Sequence, residues 1–271
     1  MKKRSFLQFI LLFFLIQSAQ AVGLQPASNT FDGFKMILFS NDYYASSSAV
    51  LHPAASINRS GYSLSLGYNR PYNIPELYYT YVNISMPFIK QSRINAQIQQ
   101  LGSDIYSESA LHLSAAFALS DNFTLGISNE TFYTYVKNYP SYFLSGFSLD
   151  MAYQFSEKLH VYLQSSHLFS VGQHQYGTFA KGLLMGINYR VLPKIQTGIT
   201  YYQKESRNPE IYFFVHHSIK EKIGLFFSTD VYNNRMNAGA SLKLTTFTIG
   251  YGLFIHPALD ESHSIEISYS W

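Results

Sequence analysis

Nine histidines and a large number of serines are the residues of this chain whose types could do chemistry. Histidines clustered with one another or with carboxylates would hold a metal, and a serine beside a histidine would make a nucleophile. The spacing supports neither. His216 and His217 are adjacent, so on a strand their rings point to opposite faces and cannot chelate one ion. His160, His167 and His174 are too widely spaced for a compact ligand set, and the chain has no cysteine. There is no Gly-x-Ser-x-Gly elbow, phosphate loop or dinucleotide glycine pattern, so no catalytic, cofactor or metal site is expected.

The elements that carry these residues explain their distribution. In "FSLDMAYQF", Phe147, Leu149, Met151, Tyr153 and Phe155 share one face of a strand, and Ser148, Asp150, Ala152 and Gln154 share the other. The same parity recurs in "YSLSLGY", "LHLSAAFAL", "LHVYLQS", "LLMGINY", "MNAGASLKL" and "FTIGYGLFI". Sustained alternation predicts about fourteen strands between residues 62 and 271, several of them as long as the ~9 to 11 residues a tilted strand needs to cross a bilayer. Connections alternate too. Brief turns such as 120–122, 156–158 and 192–194 interleave with longer joins such as 69–75, 170–177 and 256–262. Membrane barrels show the same asymmetry, with short periplasmic turns and longer outer loops.

Composition agrees with an apolar exterior. Tyr occurs 23 times and Phe 22, aromatics make up 17%, and charged residues only 13%, half the ~25% of a soluble domain. A secreted β-sandwich is the competing architecture, but its outward faces would need more charge than Ser, Gly, Asn and Gln supply. A net charge of +3 without a basic cluster recommends no nucleic-acid surface. On the strand parity Asp150, Asp230, Lys243 and Glu266 face the lumen, too scattered to form the charged ring of an ion filter.

The first residues read as an export signal. Lys2, Lys3 and Arg4 precede an apolar run over 6–16, far shorter than the ~20 residues of a spanning helix. Ala19 and Ala21 then form a small-x-small cleavage site, giving a signal peptide over 1–21, an amino-terminal segment over 22–60 and a barrel over 61–271.

The stretch "FSNDYYASSSAVLHPAASINRSGYSLSLGY" resembles the amino-terminal hallmark of the long-chain fatty-acid transporter (FadL) superfamily, which includes the PorV/PorQ proteins of type IX secretion. Asp42, Ser48, Ala49, Val50, Pro53 and Ala54 carry the resemblance, with His52 where the family has Asn. Tyr106 and Glu108 match its Tyr-x-Glu strand. The resemblance implies an all-β, fourteen-stranded transmembrane antiparallel barrel of the bacterial outer membrane, with the segment before residue 60 as a lumen plug. It implies either passage of a hydrophobic solute or service to secretion-system components and surface attachment of exported proteins. A structural or surface-interaction barrel without conduction is the alternative from another class, and a barrel-embedded hydrolase ranks last.

The closing "SHSIEISYSW" puts Ile265, Ile267, Tyr269 and Trp271 on one face. That pattern resembles the carboxy-terminal signal read by the barrel assembly machinery. The expected surroundings are outer-membrane lipid and lipopolysaccharide, with Tyr269 and Trp271 in an interfacial girdle.

Overall fold

In the computed structural model, fourteen antiparallel strands close into a barrel, each paired with its sequence neighbours and β1 with β14. The residues described are 52–57, 61–89, 91–172, 180–205, 208–220, 222–232 and 234–271. The signal-cleavage residues Ala19 and Ala21, and Asp42, Ser48, Ala49 and Val50 of the family-like motif, lie outside them.

The strands are β1 (Ser63–Arg70), β2 (Tyr78–Pro87), β3 (Ser92–Gly102), β4 (Tyr106–Ser120), β5 (Phe123–Val136), β6 (Tyr142–Gln154) and β7 (Leu159–Gly172). They continue as β8 (Gly182–Leu192), β9 (Ile195–Lys204), β10 (Glu210–Ile219), β11 (Ile223–Asp230), β12 (Arg235–Leu244), β13 (Phe247–Ile255) and β14 (Ser262–Ser270). A single-turn helix, α1 (Pro53–Ser56), precedes them.

Alternation sorts the side chains into two environments. Ser65 on β1 is 0% exposed whereas its neighbour Leu66 is 51% exposed, and the pattern repeats around the ring. The inward set is rich in Ser, Asn and Gln, the outward set in Leu, Ile and aromatic residues. An apolar exterior on a closed ring, whose backbone groups pair between strands, is the condition for spanning hydrocarbon. Among the described residues no helix is long and apolar enough to cross a membrane.

One rim carries the turns at 121–122, 193–194 and 245–246, the start of β1 and the end of β14; the other carries the joins at 71–77, 137–141 and 256–261. Short turns mark the periplasmic rim. There the seam between β1 and β14 is closed by reciprocal backbone bonds: Tyr62 N–H donates to Trp271 O at 2.9 Å, and Trp271 N–H to Tyr62 O at 3.1 Å. Trp271 stacks on Tyr62 (centroids 5.6 Å apart) and on Tyr269 (5.2 Å), completing an aromatic girdle.

The ladder slips at three places: β4 against β5, β8 against β9, and β6 against β7. The first two lie beside periplasmic turns, whereas the third falls in mid-wall. Between the pairs Leu149↔Ser165 and Phe147↔Phe169, β6 advances two residues and β7 four. His167, inside this bulge, takes the left-handed conformation at φ 56°. A bulge of this kind bends its strand and re-aims a side chain.

Candidate functional site

The lumen has two opposed walls. From β7 to β11, Tyr162, Leu184, Tyr202, Tyr212, Phe214 and Phe226 pack into one buried cluster. Half a turn around the ring, β14 and β1 to β4 present Ser, Asn and Gln, including the buried Ser65, Asn83, Asn95, Gln97 and Gln99. Hydrogen bonds tie that polar wall together: Ser65 Oγ donates to Ser268 Oγ at 2.8 Å, Asn95 Nδ2 to Ser114 Oγ at 3.1 Å, and Gln97 Nε2 to Gln99 Oε1 at 2.9 Å. One side of the lumen is thus apolar and the other polar, and the side chains of both are buried.

The four inward charges identified from the sequence occupy different places. Glu266 sits at the seam, where it accepts from the hydroxyl of Tyr81 and from Ser268 Oγ at 2.8 Å. Tyr81 reaches it from β2 by crossing Gly67 of β1, where a Cβ would stand 2.0 Å from the tyrosine ring. Asp230 belongs to a cluster at the long-loop rim. Arg235 Nη2 lies 2.6 Å from Asp230 and 2.7 Å from Glu210, its guanidinium stands over the Tyr212 ring, and Tyr212 OH donates to Glu210 at 2.8 Å. Lys243 has inward parity but is exposed near the periplasmic rim. Glu266 and Asp230 are local braces on separate strands.

Asp150 has a different task. It is wholly buried, and its Oδ1 accepts the Ala54 backbone N–H at 3.3 Å. Through that bond α1 lies inside the barrel near the periplasmic end, packed against β3 to β6. Gly126 on β5 makes the approach possible, because a Cβ there would stand 2.6 Å from Asp150 Oδ1 and 2.8 Å from Ala54 N. His52 caps the contact, buried edge-on against Tyr162 with Nδ1 3.8 Å from Asp150. Burial lowers its pKa to about 4, with its own backbone hydrogen bond opposing the shift. The Pro53-Ala54 part of the family-like motif is thus the piece that docks. Tyr106 and Glu108, its other part, face inward on β4 and hydrogen-bond to each other.

Sequence spacing did not expose a third cluster. Glu130 on β5 bridges His112 of β4 (3.1 Å) and His167 of β7 (2.8 Å), and His167 Nδ1 lies 3.1 Å from the Ala180 carbonyl. The His167 backbone N–H donates to Ser148 Oγ at 3.0 Å. This cluster holds the mid-wall bulge from inside. Among the described residues no group of His, Asp and Glu is arranged to hold a metal ion.

The closed antiparallel ring, its apolar exterior, the aromatic girdle and the polar inward faces define a bacterial outer-membrane β-barrel. Compared with known proteins, the chain matches no family model and no curated sequence. Its fold is similar to that of the Ralstonia pickettii toluene transporter TbuX, at a TM-score of 0.62 and 10% identity over 92% of this chain and 98% of that one. It is also similar to the Pseudomonas putida toluene transporter TodX (TM-score 0.57, 9% identity, 84% and 94% covered) and to a Pseudomonas aeruginosa FadL homologue (0.56, 10%, 86% and 95%). The architecture is therefore that of FadL-like barrels.

Proposed function

We propose that the barrel passes a small apolar solute across the outer membrane. The observation that carries this reading is the one-sided aromatic cluster of β7 to β11, whose rings and aliphatic carbon line one side of the lumen opposite a polar wall. Its structural neighbours TbuX and TodX are toluene transporters, which supports the same class of cargo. Reconstituted into liposomes, the protein should accelerate uptake of a labelled monoaromatic hydrocarbon over empty liposomes, and Phe226→Ala with Tyr202→Ala should alter that rate more than uptake of a sugar. Equal uptake with and without the barrel ends the proposal.

A second reading, a PorV/PorQ-like role in secretion or surface attachment, is favoured by the brevity of the outer joins. Those at 103–105, 137–141 and 231–234 are too short to build an external solute-binding domain. Native pull-down should then recover secretion-system components or exported cargo. Recovery of the barrel without either excludes this role.

A further inference from the structure

The outer wall has a notch at the mid-wall bulge. Ile94 and Ala96 of β3, Leu113 and Ala115 of β4, Phe147 of β6 and Phe169 of β7 line a cavity of about 650 Å³. These side chains lie on the outward parity of their strands, so the cavity opens toward the bilayer, outside the lumen. It adjoins the register slip between β6 and β7, where Phe147 and Phe169 form the ladder pair next to the bulge.

We infer that this notch is a binding site for one acyl chain of a bilayer lipid, held longer than the chains around it. The wall that contains it already faces hydrocarbon, so the fluid that reaches the notch is lipid tail. Water has no partners on a surface of aliphatic and phenyl carbon. A chain against flat barrel wall makes contacts on one side only, whereas a chain in the notch meets side chains from β3 to β7, and dispersion contacts add with each neighbouring atom. Of the polar residues around it, Asn95, Ser114, Ser128 and Ser148 have inward parity, and the outward Asn129 is hydrogen-bonded to its neighbours, its Nδ2 donating to Ser145 Oγ (2.9 Å) and its Oδ1 accepting from Thr131 Oγ1 (3.1 Å). This leaves hydrocarbon as the chemistry of the recess.

The site is independent of solute passage through the lumen. The test is native mass spectrometry of the full-length protein refolded into phosphatidylethanolamine and phosphatidylglycerol vesicles, then extracted in mild detergent. A single retained lipid per barrel is expected, lost in Ala96→Trp/Ala115→Trp, which fills the notch, and kept in Ala238→Trp/Ala240→Trp on the regular outer face of β12. Heat-modifiable migration verifies that each variant has folded. Should the filled variant fail to fold, Trp271→Phe/Phe169→Trp supplies a reporter. Its fluorescence should be quenched by brominated acyl chains and recover more slowly on transfer to unbrominated vesicles than that of Trp271→Phe/Phe227→Trp. Equal retention in the filled and control variants, recovery at equal rates, no retained lipid on the wild-type barrel, or a retained second copy in its place would overturn the assignment.

Discussion

The barrel is built from two unlike arcs. Strands β3 to β7 run 11, 15, 14, 13 and 14 residues. Strands β9 to β14 run 10, 10, 8, 10, 9 and 9, and continue without a register slip through the seam to β1 and β2. The long arc holds α1, the Glu130 cluster, the bulge and the notch; the short arc holds the seam, the rim cluster of Arg235 and most of the aromatic wall. A regular ladder suffices to close a barrel, and irregularity is concentrated where the wall holds something.

The comparison breaks first if packing inside the long arc is dispensable. Phe132 is fully buried on the inner face of β5, so Phe132→Ala should cost about 3 to 5 kcal/mol. The lipid-facing Phe213→Ala on β10 should cost roughly 1 kcal/mol or less, because lipid replaces the lost contacts. Urea unfolding in vesicles, followed by gel migration, measures both, and equal costs would dissolve the distinction between inner packing and lipid contact.

Docking of α1 gives the next effect, which depends on pH. His52 has a pKa of about 4 in the folded protein against 6.5 when exposed, so the unfolded or undocked segment binds the extra proton. The ring's own contribution is complete above about pH 6.5 and is lost as pH falls from there to about 4. Hydrogen exchange at Ala54 and Ala55, normalised for intrinsic rates, should quicken over that window while amides of β12 hold steady. A flat profile for α1 would mean that titration of His52 does not govern its docking. At the seam, Trp271→Ala removes two stacking contacts and should lower stability by about 2 kcal/mol and slow insertion. Unchanged folding yield in vesicles would show that the backbone bonds alone close the ring.

Strands were legible in the sequence because lipid outside and a polar lumen inside impose period-2 alternation on each segment. That is why the alternating segments "MNAGASLKL" and "FTIGYGLFI" coincide with β12 and β13, and why the expected fourteen strands are the fourteen that close the ring. The bulge was not legible for an equally physical reason. Two extra residues on β7 preserve parity, so Leu163, Phe169 and Val171 keep one phase across it; the polar run "QSSH" at 164–167 is its only trace. Partners across strands escaped as well. Glu130 and His167 stand 37 positions apart, and only the register brings them together. Asp230 and Arg235 are five apart across a join, an ion pair that charge order along the chain could have indicated.

The smallest expected effect tests the polar trio beside the notch. Polar side chains facing hydrocarbon are costly unless their bonds are met, and here Asn129 Nδ2 also reaches the Gly146 carbonyl at 3.2 Å while Thr131 and Ser145 hydroxyls lie 3.0 Å apart. Asn129→Ala strands those two hydroxyls with one bond between them and should cost about 1 kcal/mol. Replacing all three together, Asn129→Leu, Thr131→Val and Ser145→Ala, removes every partner at once and should be neutral to within roughly 0.5 kcal/mol, or slightly stabilising. If the triple variant is instead more damaging than the single one, the trio braces β5 to β6 beyond its own hydrogen bonds, and the long arc is held together from its lipid face as well as from its lumen.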